Sequence, residues 1–218
     1  MPKRFELLVF DWDGTLMDSA AAIVASIQES CRDLGLPVPG REQASHVIGL
    51  GLKDALSYAV PELPPSDYGK LAERYRHHYL ARDADIELFP GVLEMLAGLR
   101  ERGFLLAVAT GKSRAGLERV LEATRLKACF DSSRCADETY PKPHPAMLQE
   151  LMQELMIEPE ATLMIGDTAH DLQMALSAGV PALAVSYGAH PRESLAGFNP
   201  LACIETPQDL ARWLARNA

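Results

Sequence analysis

The chain has 218 residues, 48% hydrophobic and 23% charged, a globular composition that suits one large domain or a core carrying a modest insert. A net charge of −9 and a pI near 5.2, with Lys and Arg scattered and no basic stripe, argue against a nucleic-acid partner. No apolar run approaches the roughly 20 residues of a spanning helix, the stretch before Asp11 is too short for the apolar core of a leader, and Cys31, Cys129, Cys135 and Cys203 form no Cys-x-x-Cys pair, so a cytoplasmic protein with reduced thiols and no membrane partner is expected.

The first element is the run Leu7-Leu8-Val9-Phe10, which reads as a buried strand. It ends in Asp11-Trp12-Asp13-Gly14, and Gly14 lets the chain bend sharply. Ser19 is placed to cap a helix reaching about Leu34, closed by Gly35 and Pro37. From there to about Asp85 helical patterns at 41–47, 52–59 and 66–82 are broken by prolines and glycines and no strand is evident, so a small all-helical insert is expected.

After the turn at Leu88-Phe89-Pro90-Gly91 a regular alternation begins. The pattern predicts helices at 91–102, 113–123, 145–156 and 168–178, with strands at 104–109, 129–133, 161–166 and 181–185. The last helix opens with Thr206 as cap and Pro207 at its first position. Alternating strands and helices predict an α/β fold, a Rossmann-like parallel sheet with helices on both faces, interrupted after its first strand by the helical insert.

The strand ends carry the chemistry. Asp11 and Asp13 fall where ligands bind in open α/β sheets. An acid pair there can hold a hard cation, or divide phosphoryl transfer between an attacking carboxylate and one that moves protons. The same tetrapeptide is also an ordinary turn composition, so the other strand ends must decide. Thr110-Gly111-Lys112-Ser113 follows the next strand, offering a hydroxyl and helix-start N–H groups to a phosphoryl oxygen, or simply a Ser113 cap. Lys142 is stiffened between Pro141 and Pro143 and can offset phosphate charge, or lie solvated in a proline-rich loop. Asp167 and Asp171 follow the strand at 161–166 on one side of a helix start, as a second acid pair or a cap. Acid pair, Thr, Lys and acid pair at successive strand ends converge on one sheet edge, which coincidence explains poorly.

In these residues the chain resembles the haloacid dehalogenase-like hydrolases, most closely their phosphoglycolate phosphatase-like branch. The resemblance implies Asp11 as nucleophile and Asp13 as general acid/base. It also implies Thr110 on the phosphoryl group, Lys142 holding nucleophile and phosphate, Asp167 as metal ligand and Asp171 supporting it. Mg²⁺ is then expected on Asp11, Asp167 and the backbone carbonyl of Asp13, with an aspartyl-phosphate intermediate. Residues 17–85 resemble a C1-type cap, leaving 1–16 and 86–218 as the catalytic core. Trp12 departs mildly from the family pattern, where Phe, Leu or Met is commoner. Dehalogenases and phosphonatases of the family lack the Asp13 carboxylate, so phosphate esters of small metabolites are the expected substrates. Sugar phosphomutases carry a His where Ile23 stands and a polar loop where Ile48-Gly49-Leu50-Gly51-Leu52 stands, which sets hydrolysis ahead of a β-phosphoglucomutase-like transfer.

Gly49, Leu50 and Gly51 are candidates for a cap tip dipping into the site, and Gly111, Lys112 and Arg114 for contact with substrate; Lys53 and Arg41 are weaker candidates of the same kind. His46, His77, His78, His144, His170 and His190 lack metal-ligand spacing and read as surface or loop residues, with His170 placed to line an entrance. A non-catalytic phosphoacceptor module is the alternative from another class, and a stable aspartyl-phosphate without turnover would favour it. A monomer is the default assembly, with a homodimer as alternative.

Overall fold

In the computed structural model, which describes residues 3–218, six parallel strands form one sheet in the order β3-β2-β1-β4-β5-β6. The strands are β1 (Leu7–Phe10), β2 (Leu105–Thr110), β3 (Ser132–Cys135), β4 (Thr162–Gly166), β5 (Ala182–Val185) and β6 (Cys203–Ile204). Met1 and Pro2, part of the stretch read as too short for a leader, lie outside the described residues.

β1 forms the middle of the sheet because its four residues are apolar and it is covered on both faces. Its period of two sorts Leu8 and Phe10 to one face, beside α5 (Val92–Glu101), α6 (Arg114–Thr124) and α10 (Pro207–Asn217). Leu7 and Val9 go to the other, beside α7 (Ala146–Leu155) and α8 (Ala169–Ala178). The helices between β1 and β2 are α1 (Ala20–Asp33), α2 (Arg41–His46), α3 (Leu52–Ala59) and α4 (Tyr68–Arg82). They close around a core of their own, with Ile27, Cys31, Leu56 and Leu71 at its centre. Among the described residues no helix is long and apolar enough to cross a membrane.

One expectation needs correction, and two short elements were not anticipated. The strand expected at 129–133 runs at Ser132–Cys135, because Lys127–Cys129 makes a 3₁₀ turn that tucks Cys129 and Phe130 against the core. β3 is an edge strand whose polar, half-buried Ser-Ser-Arg pattern hides it from a search for apolar runs. Helix α9 (Arg192–Ala196) and strand β6, of five and two residues, are too short to show a period.

What matters for the site is the order of the strands. β1 pairs with β2 on one side and β4 on the other, so the chain reverses its winding direction beside β1. The crevice at that reversal faces the carboxyl ends of β1, β2 and β4.

Candidate active site

Asp11 leaves β1 at that crevice, fully buried, with its N–H still bonded to Ile165 O of β4 at 2.9 Å. Its Oδ1 accepts the Trp12 N–H at 2.6 Å and lies 2.7 Å from Lys142 Nζ, while its buried Oδ2 has no hydrogen-bond partner among the described residues. Lys142 is itself buried and also reaches Asp171 Oδ1 at 2.7 Å. Asp171 Oδ2 accepts the N–H and hydroxyl of Thr168 (3.0 and 2.7 Å), closing a capping box on α8. Asp171 therefore serves as a cap, one of its two readings, and in addition as a partner of Lys142. Asp167 at the end of β4 accepts the Thr15 hydroxyl on Oδ1 (2.8 Å) and the Ala189 N–H on Oδ2 (2.7 Å). Gly14, at φ +81°, is required here, since a Cβ would lie 2.2 Å from Asp167 Oδ2.

Carboxylate oxygens of Asp11, Asp167 and Asp171 lie within 4.8 Å of one another. Three buried acids facing one ammonium are short of positive charge. Burial pushes the Asp11 carboxyl well up, and Lys142 opposes it. Burial, then the charge of Asp171, pushes Asp167 up to about 7, while the Ala189 and Thr15 donors pull it down. Burial alone would lower Lys142, but Asp11 and Asp171 outweigh it and keep the ammonium above its usual value. An added cation is the natural completion of this cluster.

The Asp13 carboxylate has partners of its own, apart from that group. Its Oδ1 accepts the Ser19 hydroxyl at 2.6 Å and lies 3.0 Å from Lys112 Nζ. Ser19 occupies the N-cap position of α1 but makes no cap bond there; its hydroxyl is spent on Asp13, contrary to the expected capping role. Lys112 also donates to the Tyr79 hydroxyl of α4 at 2.9 Å, so a helix of the insert touches the partner of Asp13. Burial would lower the Lys112 pKa, but the Asp13 carboxylate and Tyr79 outweigh it and raise it. Thr110 is buried at the end of β2, its Oγ1 accepting the Lys112 N–H at 3.2 Å.

Between insert and sheet edge lies a cavity of ≈ 600 Å³, lined in part by Asp13, Gly49, Leu50, Gly51, Gly111 and Lys112. Lys53 is on its rim, whereas Arg41 and Arg114 do not line it. Arg114, expected near substrate, is drawn instead toward the β3 edge by Glu138 (2.7 and 2.8 Å) and Ser133 Oγ (2.8 Å). Ser113 caps α6 by accepting the Gly116 N–H, as its position suggested.

A second correction concerns His190, which lies in a loop as expected but is buried, while His46 is exposed. His46 of the insert, His170 of α8 and His190 after β5 meet with ring centroids 5.2 to 5.3 Å apart. His170 Nε2 and His190 Nε2 both lie within bonding distance of His46 O, at 2.8 and 3.1 Å, and tie the insert to the core. His190 Nδ1 accepts the Ala169 N–H, so the ring is neutral with its proton on Nε2. Burial, then nearby His170, brings His190 down to about 4. Unfolded histidine takes up its proton near pH 6.5, so between about 6.5 and 4 the unfolded chain binds a proton that the folded one refuses. Stability should therefore rise with pH across that window, and His190→Gln should remove part of the rise when denaturant midpoints at pH 5 and pH 7 are compared.

Thr15, Ser19, Tyr79 and Ala189 were missed as site residues. Ala189 follows β5 and the strand-end rule could have found it; the others are matched to their partners only by packing.

The sequence matches the family described as "Haloacid dehalogenase-like hydrolase" over residues 8–185. It is 37% identical to "Probable phosphatase IndB" of Dickeya dadantii, over 92% of this chain and 89% of that protein. It is 31% identical to the phosphoglycolate phosphatase of Agrobacterium fabrum, over 84% of this chain and 81% of that one. Among solved structures it is similar to a predicted phosphoglycolate phosphatase from Haemophilus somnus, with a TM-score of 0.85, 26% identity and coverage of 97% and 99% of the two chains.

Proposed function

The chain belongs to the haloacid dehalogenase-like hydrolases, and from that premise we propose that it is a Mg²⁺-dependent phosphomonoester hydrolase, phosphoglycolate phosphatase-like, that acts on a small phosphorylated metabolite of the cytoplasm through an aspartyl-phosphate on Asp11. One observation carries this reading. Asp11 is held through Oδ1 by Lys142 and the Trp12 N–H while Oδ2 stays buried without a partner among the described residues. A carboxylate so held is oriented, shielded from water and free at one atom, as an attacking group must be.

The donor set fits Mg²⁺, which favours a few hard carboxylate oxygens and leaves room for water and phosphate. Asp11, Asp167 and the Asp13 carbonyl would hold the ion, which supplies charge neutralisation for the phosphoryl oxygens. In the first step Asp11 attacks phosphorus, the ester P–O bond breaks, and Asp13 delivers its proton to the leaving alkoxide. In the second, Asp13 takes a proton from the water that attacks the aspartyl-phosphate, and the Asp11 carboxylate is restored as phosphate departs. Asp171 steers Lys142 toward Asp11, and the Thr110 hydroxyl keeps its proton for a phosphoryl oxygen. Ile23, on the cavity wall, offers no proton acceptor to a sugar hydroxyl, which favours water as acceptor. Phosphate release from p-nitrophenyl phosphate should vanish on chelation with EDTA and return with added Mg²⁺; activity indifferent to EDTA would refute the metal assignment.

Residues 17–85 act in this reading as a lid over the core. The Gly49 and Leu50 carbonyls press on Gly111 so closely that a Cβ there would fall 2.6 and 2.4 Å from them. Gly111→Val should hold the tip off the site and lower kcat/KM about 10- to 100-fold through loss of closure. A variant of unchanged kcat/KM would show that closure does not matter.

A further inference from the structure

The cavity behind Asp13 constrains what leaves with the proton. It holds ≈ 600 Å³, on the order of twenty waters at about 30 Å³ each. Its walls are chiefly apolar, built by Ile23, Ile27, Leu50, Leu56, Tyr75 and Tyr79. Burial raises the phenols of Tyr75 and Tyr79 above their usual range, as expected of a dry wall. The ammonium next to Asp13 belongs to Lys112, already engaged by Asp13 and the Tyr79 hydroxyl. The other cations of the wall stand at its solvent side: Lys53 and Arg76 are exposed, and Arg119 is paired with Asp83 at 2.6 Å. A two-carbon acid would leave most of this space unfilled, and on Lys112 its carboxylate would meet an ammonium already shared by Asp13 and Tyr79, with one N–H left to offer.

Building on the phosphatase reading above, we propose that the leaving half of the substrate is a mainly apolar alcohol of several carbons, alkyl or aryl, seated in this cavity with its ester oxygen beside Asp13. Such a group replaces water along the apolar wall, and its binding strengthens with each buried methylene.

The test uses the full chain with Mg²⁺ and a series of n-alkyl monophosphates from ethyl to hexyl, with phenyl phosphate and phosphoglycolate alongside, read as kcat/KM for phosphate release. The expected result is a rise of about threefold to fourfold per methylene until the cavity is filled, with hexyl and phenyl phosphate at least about tenfold above phosphoglycolate. Leu50→Asp, a change on the half-buried tip, should flatten the series. A flat or falling series, or phosphoglycolate ahead of every alkyl ester, overturns the proposal and leaves the phosphatase reading standing. Should no ester be hydrolysed, that reading falls by itself, and calorimetry with the non-hydrolysable hexylphosphonate and phosphonoacetate still decides the cavity. Tighter hexylphosphonate supports an apolar ligand; tighter phosphonoacetate overturns it.

Discussion

Asp11→Asn should abolish phosphate release, by about 10⁴-fold or more in kcat, while leaving the fold at least as stable as before. The amide keeps the shape of the carboxylate, so packing at the end of β1 is preserved. It removes the charge that would attack phosphorus and leaves the Oδ2 position without a nucleophile. The stability half follows from electrostatics. Asp11 is a buried carboxylate crowded by Asp167 and Asp171, and burial already works against its charged form. Removing one of three like charges from a dry site relieves repulsion, as at other sites where function is kept at a cost in stability. Phosphate assays and thermal melts on one preparation check both halves. Retained turnover would sink the nucleophile assignment, and a melting temperature several degrees lower would show that Asp11 is mainly structural.

Lys142→Met should do the reverse and damage the fold together with the chemistry. The ammonium is buried between Asp11 and Asp171, 2.7 Å from each. Methionine fills similar space but leaves buried carboxylates without their counter-charge, and breaking a buried pair in this way costs about 3–5 kcal/mol. For a chain of this size that lowers the melting temperature by roughly 10 °C. The loss is one of coupling, so adding Asp11→Asn to the Lys142→Met background should recover part of the stability and none of the activity. Chelator-treated protein, followed by denaturant unfolding, is the right material, since a bound cation would mask the deficit. A shift under about 2 °C would mean that Lys142 is not the group balancing these acids.

The main lines of the fold were legible because a buried parallel strand announces itself as an apolar run, and helices between strands by their caps and period. Helix α3 was expected at 52–59 and is found there, and Thr206 with Pro207 opens α10 as read. The strand expected at 129–133 fell about three residues short of β3 because an edge strand with one polar side lacks such a run, and β6 escaped because two residues carry no period. Asp11, Lys142, Asp167 and Asp171 were placed together because consecutive strands of a parallel sheet end at one edge, a rule that needs only the positions of strands.

What each side chain does within that edge was decided elsewhere. Ser19 looked like a cap and serves Asp13; Arg114 looked like a substrate contact and is taken by Glu138. His46, His170 and His190, with no common spacing, meet where insert and core touch. Local apolar patterning in the chain set the longer elements and, through strand order, which groups stand at the strand ends. Tertiary structure alone decided the hydrogen-bond partner of each group, the Lys112–Tyr79 link and the apolar cavity behind Asp13. Those depend on how four helices, closed on their own core, are seated over the sheet edge, and contacts between segments distant in the chain leave no periodic trace in it.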